Sequence, residues 1–161
     1  MVSLKQALID NDSILLGKIA GNWQEAVCIA VAPLVVSGAV EERYAQAIID
    51  STEHYGPYYV LMPGMAMPHA RPNDGVNRDA FSLVTLAEPV AFADGKEVSV
   101  LITLAATSVE VHTGVAIPQI VAMFEMPDVI GRLVRMTEVS QVLALIDEAD
   151  ISQYVTGKGD I

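Results

Sequence analysis

The chain has 161 residues, of which 52% are hydrophobic, and carries a formal net charge of -11. That length and apolar content suit one domain around a buried core and exclude a disordered chain. The acidic balance, with no Lys/Arg stripe, argues against nucleic acid as a partner.

In chain order, residues 3–9 predict a short helix and residues 14–16 a short strand. Asn22-Trp-Gln-Glu25 has the form of a helix N-cap with an acidic residue three positions on. Trp23, Ala26, Val27, Ala30 and Leu34 then recur at helical spacing, and Gly38 can close that helix. Cys28 is the only cysteine. No internal disulfide can form, and its place in an apolar helical stretch predicts a buried, inert thiol. The apolar run over 26–40 is too short to span a bilayer and contains Pro33 and Gly38. The opening residues lack the basic start and apolar middle of a secretory signal, so a cytoplasmic protein is expected.

Residues 41–51 predict a further helix with Tyr44, Ala47 and Ile48 on one face, and Gly56-Pro57 breaks it. Three strand-like runs follow, at 58–62 continuing toward 67, at 81–86 and at 98–105. The last is almost wholly apolar, as befits a central strand covered on both faces. Residues 71–79 form a polar loop. Thr107-Ser-Val-Glu110 reads as a capping box opening a helix to about Phe124, with a kink expected at Pro118. Pro127 suits the first turn of a short helix to Met136. Thr137 is expected to cap a last helix that buries Val139, Val142, Leu143 and Ile146. Residues 157–161 read as a frayed tail, leaving 1–156 as a single domain. The order describes an α/β sandwich, a small mixed sheet flanked by helices on both faces. No G-x-G-x-x-G joins a strand to a helix, and neither a P-loop nor a G-x-S-x-G elbow is present.

The chemistry concentrates at the corner Pro68-His69-Ala70-Arg71-Pro72. Pro68 cannot donate to a β-ladder, so a strand must stop or reach an edge there. Pro72 restricts Arg71 to extended conformations. A histidine between such points is presented at a strand end, where it can serve as base, metal ligand or nucleophile. His112 falls in the first turns of the helix after the central strand. Sites in α/β sheets form beyond the carboxyl ends of strands, so the two histidines are expected to meet. His54, near a helix end, reads as a structural or surface residue. A zinc site using His69, His112 and Asp74 or Glu110 is a competing reading, although no close ligand spacing supports it. Met65 and Met67 read as core, with a place on an interaction rim as the alternative.

PGMAMPHARP, the strand FSLVTL and the later VHTGVAIPQIVAMFE together resemble the enzyme IIA domains of the bacterial sugar phosphotransferase system. The likeness is to the mannitol/fructose type, and within it to the ascorbate-specific branch. It runs from SLKQALIDNDSILL through NWQEAV and YGPYYVLMPGMAMPH to the final helix. The resemblance implies that His69 is the phosphoryl acceptor, through its tele nitrogen Nε2, and that His112 supports the transition state. In the mannitol/fructose relatives an arginine before the active strand assists. The segment DSTEHYG has none, and Arg71 is the proposed substitute. Ala70 stands where the branch often has glycine.

The implied activity is a phosphotransferase relay. A histidine-containing phosphocarrier protein donates to His69, and the phosphoryl group passes to an enzyme IIB cysteine. The sugar, L-ascorbate or a related acid, is met only by the membrane enzyme IIC. No metal or cofactor is implied. A regulatory phosphoacceptor of the same fold is the alternative, and the oligomeric state is left open.

Overall fold

The computed structural model describes residues 3–151. The amino-terminal part comprises α1 (Leu4–Asp10), β1 (Ile14–Lys18), α2 (Trp23–Val36) and α3 (Arg43–Tyr55). Three strands follow, β2 (Gly64–Ala66), β3 (Ala80–Ala91) and β4 (Glu97–Ala105). The chain ends in α4 (Val109–Val111), a π turn (His112–Ala116), α5 (Ile117–Phe124), α6 (Val129–Val134) and α7 (Val139–Ala149). Residues 157–161, expected to be a tail, lie outside the described residues.

The sheet is mixed, in the order β1-β3-β4-β2. β1 runs parallel to β3, β3 antiparallel to β4, and β2 parallel to β4. The two long central strands alternate between two apolar layers. Phe81, Leu83, Val100, Ile102 and Leu104 pack with residues of α1, α5, α6 and α7. Val84, Leu86, Val98, Leu101 and Ala105 pack with residues of α2 and α3. The expected α/β sandwich is the observed one, and the near-continuous apolar sequence of β4 follows from burial on both faces.

Local chemistry sets the element ends. Ser3 Oγ accepts from Gln6 N–H at the start of α1, and Asn22 Oδ1 accepts from Glu25 N–H at 2.8 Å at the start of α2. Such caps each contribute about 1 kcal/mol. Gly56, at φ +81°, closes α3 four residues later than the sequence pattern suggested. Met65 and Met67 are core, each 2% exposed.

Several expectations are corrected. The run 58–67 is not one strand. Pro63 and Gly64, at φ +90°, form a turn in which Met65 N–H donates to Met62 O at 3.1 Å, so only 64–66 pair with β4. Proline followed by a positive-φ glycine is the signature of a type II turn. Ser108, not Thr107, caps the helix after β4, accepting from Val111 N–H. Thr107 instead donates to Asp79 through both its backbone and its hydroxyl. Pro118 introduces not a simple kink but the wider π turn ahead of it. It has no N–H to offer the carbonyl of Gly114, so the ladder adjusts there.

Pro127 precedes α6 rather than lying inside it, because Asp128 adopts φ +54° as N-cap. Glu138, not Thr137, is the N-cap of α7, where Gln141 Oε1 accepts from both their N–H groups. Leu145 takes the buried place expected of Val139, which is exposed. Cys28 is also exposed. The buried stripe of α2 runs through Ala26, Val27, Ala30, Val31 and Leu34, and residue 28 falls on the other side of the helix.

Candidate functional site

β2 and β4 are adjacent and parallel, so their carboxyl ends emerge on the same side of the sheet. The chain leaving β2 carries His69 and the chain leaving β4 carries His112. Their ring centroids are 4.7 Å apart, with planes tilted by 50°. The meeting expected from the sequence is therefore present, and it follows from strand direction.

The corner holding His69 is anchored at the backbone. Met67 N–H donates to Tyr59 O at 2.9 Å, and Leu104 N–H donates to Pro68 O at 3.1 Å. Pro68 at an edge strand thus loses nothing as a donor while its carbonyl still pairs with β4. The ring Nδ1 of His69 lies 2.9 Å from Met67 O. A carbonyl only accepts, so Nδ1 carries the proton and Nε2 holds the lone pair. Nε2 has no hydrogen-bond partner among the described residues.

Aromatic edges frame the ring. Tyr58 stands T-shaped to it at 5.6 Å and Tyr59 at 6.2 Å. Burial holds the His69 pKa below the ordinary 6.5, with the bond to Met67 O opposing that shift. His112 is also lowered, first by burial and then by its proximity to His69. Two neutral imidazoles therefore face each other, one a nucleophile and the other able to present an N–H.

His112 begins the π turn, and its backbone N–H donates to Ser108 O at 3.1 Å. Arg71 sits just beyond His69, where its N–H donates to Asp74 Oδ2 at 2.9 Å at the head of the short 3-10 turn Pro72–Asp74. Its guanidinium is exposed and has no ion-pair partner among the described residues. Arg71 and His69 both line an open groove of about 1010 Å³, together with Asp50, His54, Tyr58 and Asp74.

His54 is exposed at the end of α3, as expected, but it belongs to this groove. Among the described residues no group of three or more His, Cys, Asp or Glu side chains is placed to share a metal ion. The sequence pattern singles out neither Tyr58, whose ring stands against His69, nor Tyr44, whose hydroxyl accepts from Ala70 N–H at 3.0 Å. Tyr58 follows the Gly56-Pro57 break and looks like part of a strand. Tyr44 reads in the sequence only as one residue of an apolar helix face.

The corner histidine has its tautomer set by a carbonyl, a second imidazole beside it and an open approach, an arrangement that leaves Nε2 available as a nucleophile. The sequence matches the family described as "Phosphoenolpyruvate-dependent sugar phosphotransferase system, EIIA 2" over residues 7–149, and the chain belongs to that family. It is thus a phosphotransferase of the mannitol-type enzyme IIA fold. It is 46% identical to the ascorbate-specific PTS system EIIA component of Escherichia coli K12 over 151 residues, 92% of this chain and 98% of that one.

A crystal structure of a candidate PTS IIA, PtxA, from Streptococcus mutans superposes with a TM-score of 0.93 at 60% identity, covering 96% of this chain and 99% of that one. Enzyme IIA of the mannitol system, solved in complex with phosphorylated enzyme IIB from Escherichia coli, gives a TM-score of 0.73 at 25% identity over 92% and 98% of the two chains.

Proposed function

We propose that the chain is a cytoplasmic phosphoryl carrier that takes the group from a phosphohistidine carrier protein onto His69 Nε2 and hands it to a cysteine of an enzyme IIB. The observation that carries this reading is the bond from His69 Nδ1–H to Met67 O, which leaves Nε2 as the free nucleophile. In the first step the Nε2 lone pair attacks phosphorus while the donor's P–N bond breaks, its electron pair returning to the donor ring. Positive charge grows on the His69 ring and is stabilised through Nδ1–H by the Met67 carbonyl. In the second step a thiolate attacks phosphorus and the P–Nε2 electron pair returns to His69.

Charge in such a transition state spreads over the equatorial phosphoryl oxygens, so positioned donors matter most. His112, 4.7 Å from His69 ring to ring, is the supporting donor. Arg71 replaces the arginine missing from DSTEHYG, supplying a cation from the groove that it lines with His69. The partner class agrees with the mannitol relative solved on its phosphorylated enzyme IIB. The sugar is L-ascorbate or a closely related acid, supported by relatives carrying that name. It is met by a membrane enzyme IIC and not by this chain. Among the described residues no helix is long and apolar enough to cross a membrane.

The test is a reconstituted relay. The protein is incubated with phosphoenolpyruvate, enzyme I and the phosphocarrier, then mixed with the IIB of an ascorbate system or of a mannitol system. One acid-labile phosphoryl group should enter and pass preferentially to the ascorbate IIB. Failure to label would refute the carrier reading. Labelling without transfer to either IIB would turn the assignment to a regulatory phosphoacceptor.

A further inference from the structure

The fully buried hydroxyl of Tyr44 touches neither histidine ring, yet it joins the two chain segments that carry them. Its O–H donates to Leu104 O at 2.6 Å and accepts from Ala70 N–H at 3.0 Å. Leu104 also donates its own N–H to Pro68 O at 3.1 Å. The peptide groups on either side of His69 are therefore both tied to Leu104, one directly and the other through the Tyr44 phenol. Leu104 is the penultimate residue of β4, four positions before the Ser108 cap of the helix that delivers His112.

The position is apolar throughout. Tyr44 is 0% exposed and belongs to the cluster of Val27, Leu34, Ile48 and Leu101. A phenylalanine would fill that space equally well, so packing alone does not call for the hydroxyl. A buried hydroxyl needs partners, and here its partners are two backbone groups of the site. The neighbouring buried tyrosine, Tyr59, spends its hydroxyl differently, on the Thr52 side chain within its own layer. Ala70 occupies a half-buried corner that cannot join a β-ladder, because Arg71 already turns toward the 3-10 segment. Without the phenol, the Ala70 N–H would have no protein partner, and the His69 peptide would be held on one side only.

We propose that Tyr44 is a positioning residue for phosphoryl transfer, its hydroxyl clamping the corner after β2 to the end of β4 and so fixing the spacing of His69 and His112. This rests on the carrier reading of His69. Tyr44 touches no phosphoryl oxygen in this scheme and acts through backbone geometry alone. Small misplacements of a reacting group are expensive, and a shift of about 1 Å can cost as much as a hundredfold in rate.

Tyr44→Phe tests it, with Ser82→Ala as the comparison. Ser82 is a buried hydroxyl of the same sheet whose Oγ donates to Ala30 O at 2.6 Å on α2, not to a backbone group beside either histidine. Both variants lose one buried hydrogen-bonding hydroxyl. Tyr44→Phe should slow acceptance and donation of the phosphoryl group by about tenfold or more, by the misplacement argument. It should also shift the NMR titration midpoints of the His69 and His112 rings, while Ser82→Ala leaves rates and midpoints at wild-type values. In wild type, the Ala70 amide should exchange with solvent slowly, as a bonded group does, which requires no variant to fold.

Wild-type rates and unchanged histidine midpoints in Tyr44→Phe would overturn the proposal, as would a freely exchanging Ala70 amide. Equal slowing in Ser82→Ala would reduce Tyr44 to a general stabiliser. If wild type itself accepts no phosphoryl group, the carrier reading fails instead, and the two failures are told apart by that control.

Discussion

The His69 corner and the His112 turn meet at one side of the sheet but are built in opposite ways. His69 stands between peptide groups that are both hydrogen-bonded to other elements, and its own Nδ1 is bonded to Met67 O. His112 rises from a π turn that contains Gly114, and its ring makes no hydrogen bond among the described residues. The proposed nucleophile is thus held in place and in tautomer by hydrogen bonds, while its companion ring is held by none among the described residues. A relay protein needs both properties. In the proposed relay the same nitrogen attacks and later leaves, whereas the phosphoryl oxygens arrive in one pose from the donor and depart in another toward the acceptor.

The sharpest break of that comparison comes from removing each ring in turn. His69→Gln should abolish labelling by the phosphocarrier altogether, since no second nucleophile takes its place. His112→Ala should still be labelled at His69, with onward transfer to IIB slowed by roughly a hundredfold to a thousandfold, the range for losing one transition-state donor. Rapid-quench measurement of both half-reactions separates the cases. A His69→Gln protein that still labels, or a His112→Ala protein at wild-type speed in both directions, would dissolve the distinction between the two histidines.

Arg71 gives a smaller effect. Arg71→Lys keeps the charge and removes the paired-donor fork. A lost charge-assisted bond of about 1.5–3 kcal/mol corresponds to a rate loss of roughly tenfold or more. Both half-reactions should slow while thermal stability barely moves, since the guanidinium has no ion-pair partner among the described residues to lose. Rates within about twofold of wild type, by the same arithmetic, would return Arg71 to the solvated surface.

The mildest test is pH. Burial holds both imidazoles below 6.5, so phosphoryl acceptance should stay level across neutral pH and decline only beneath that value. The linkage has the same sign. Below 6.5 the unfolded chain binds protons at these histidines that the folded protein refuses, so stability falls as pH drops through the window between 6.5 and the folded-state midpoints. Ring titrations by NMR check it directly. A midpoint for His69 above 6.5 would mean that the ring is not desolvated as described.

The parts of this site that were legible in the sequence are those set by neighbours in the chain. Pro68 and Pro72 flank His69 within a few residues, and their effects on φ and donor count are local. The Asn22 cap was readable for the same reason, as was the double burial of β4. Tyr44 was not, because its hydroxyl reaches across 60 residues to Leu104 and 26 to Ala70, and a tyrosine at helical spacing reads only as core. The strand expected over 58–67 failed although Pro63-Gly64 lay in plain view. An apolar run outweighed a turn signal, where the positive φ of the glycine decided the matter. Beside Pro118, Gln119 donates to Val115 O and accepts from Leu4 N–H, a contact across 115 residues that no local pattern encodes.

The most direct test of the central claim is to see which nitrogen carries the phosphoryl group. The protein, labelled with nitrogen-15 and phosphorylated through the carrier, would be read by long-range proton–nitrogen correlation in the imidazole rings. The structure predicts one phosphorylated ring, His69, with phosphorus on Nε2 and the proton still on Nδ1. Phosphorus on Nδ1 of His69, or on either nitrogen of His112, would contradict it.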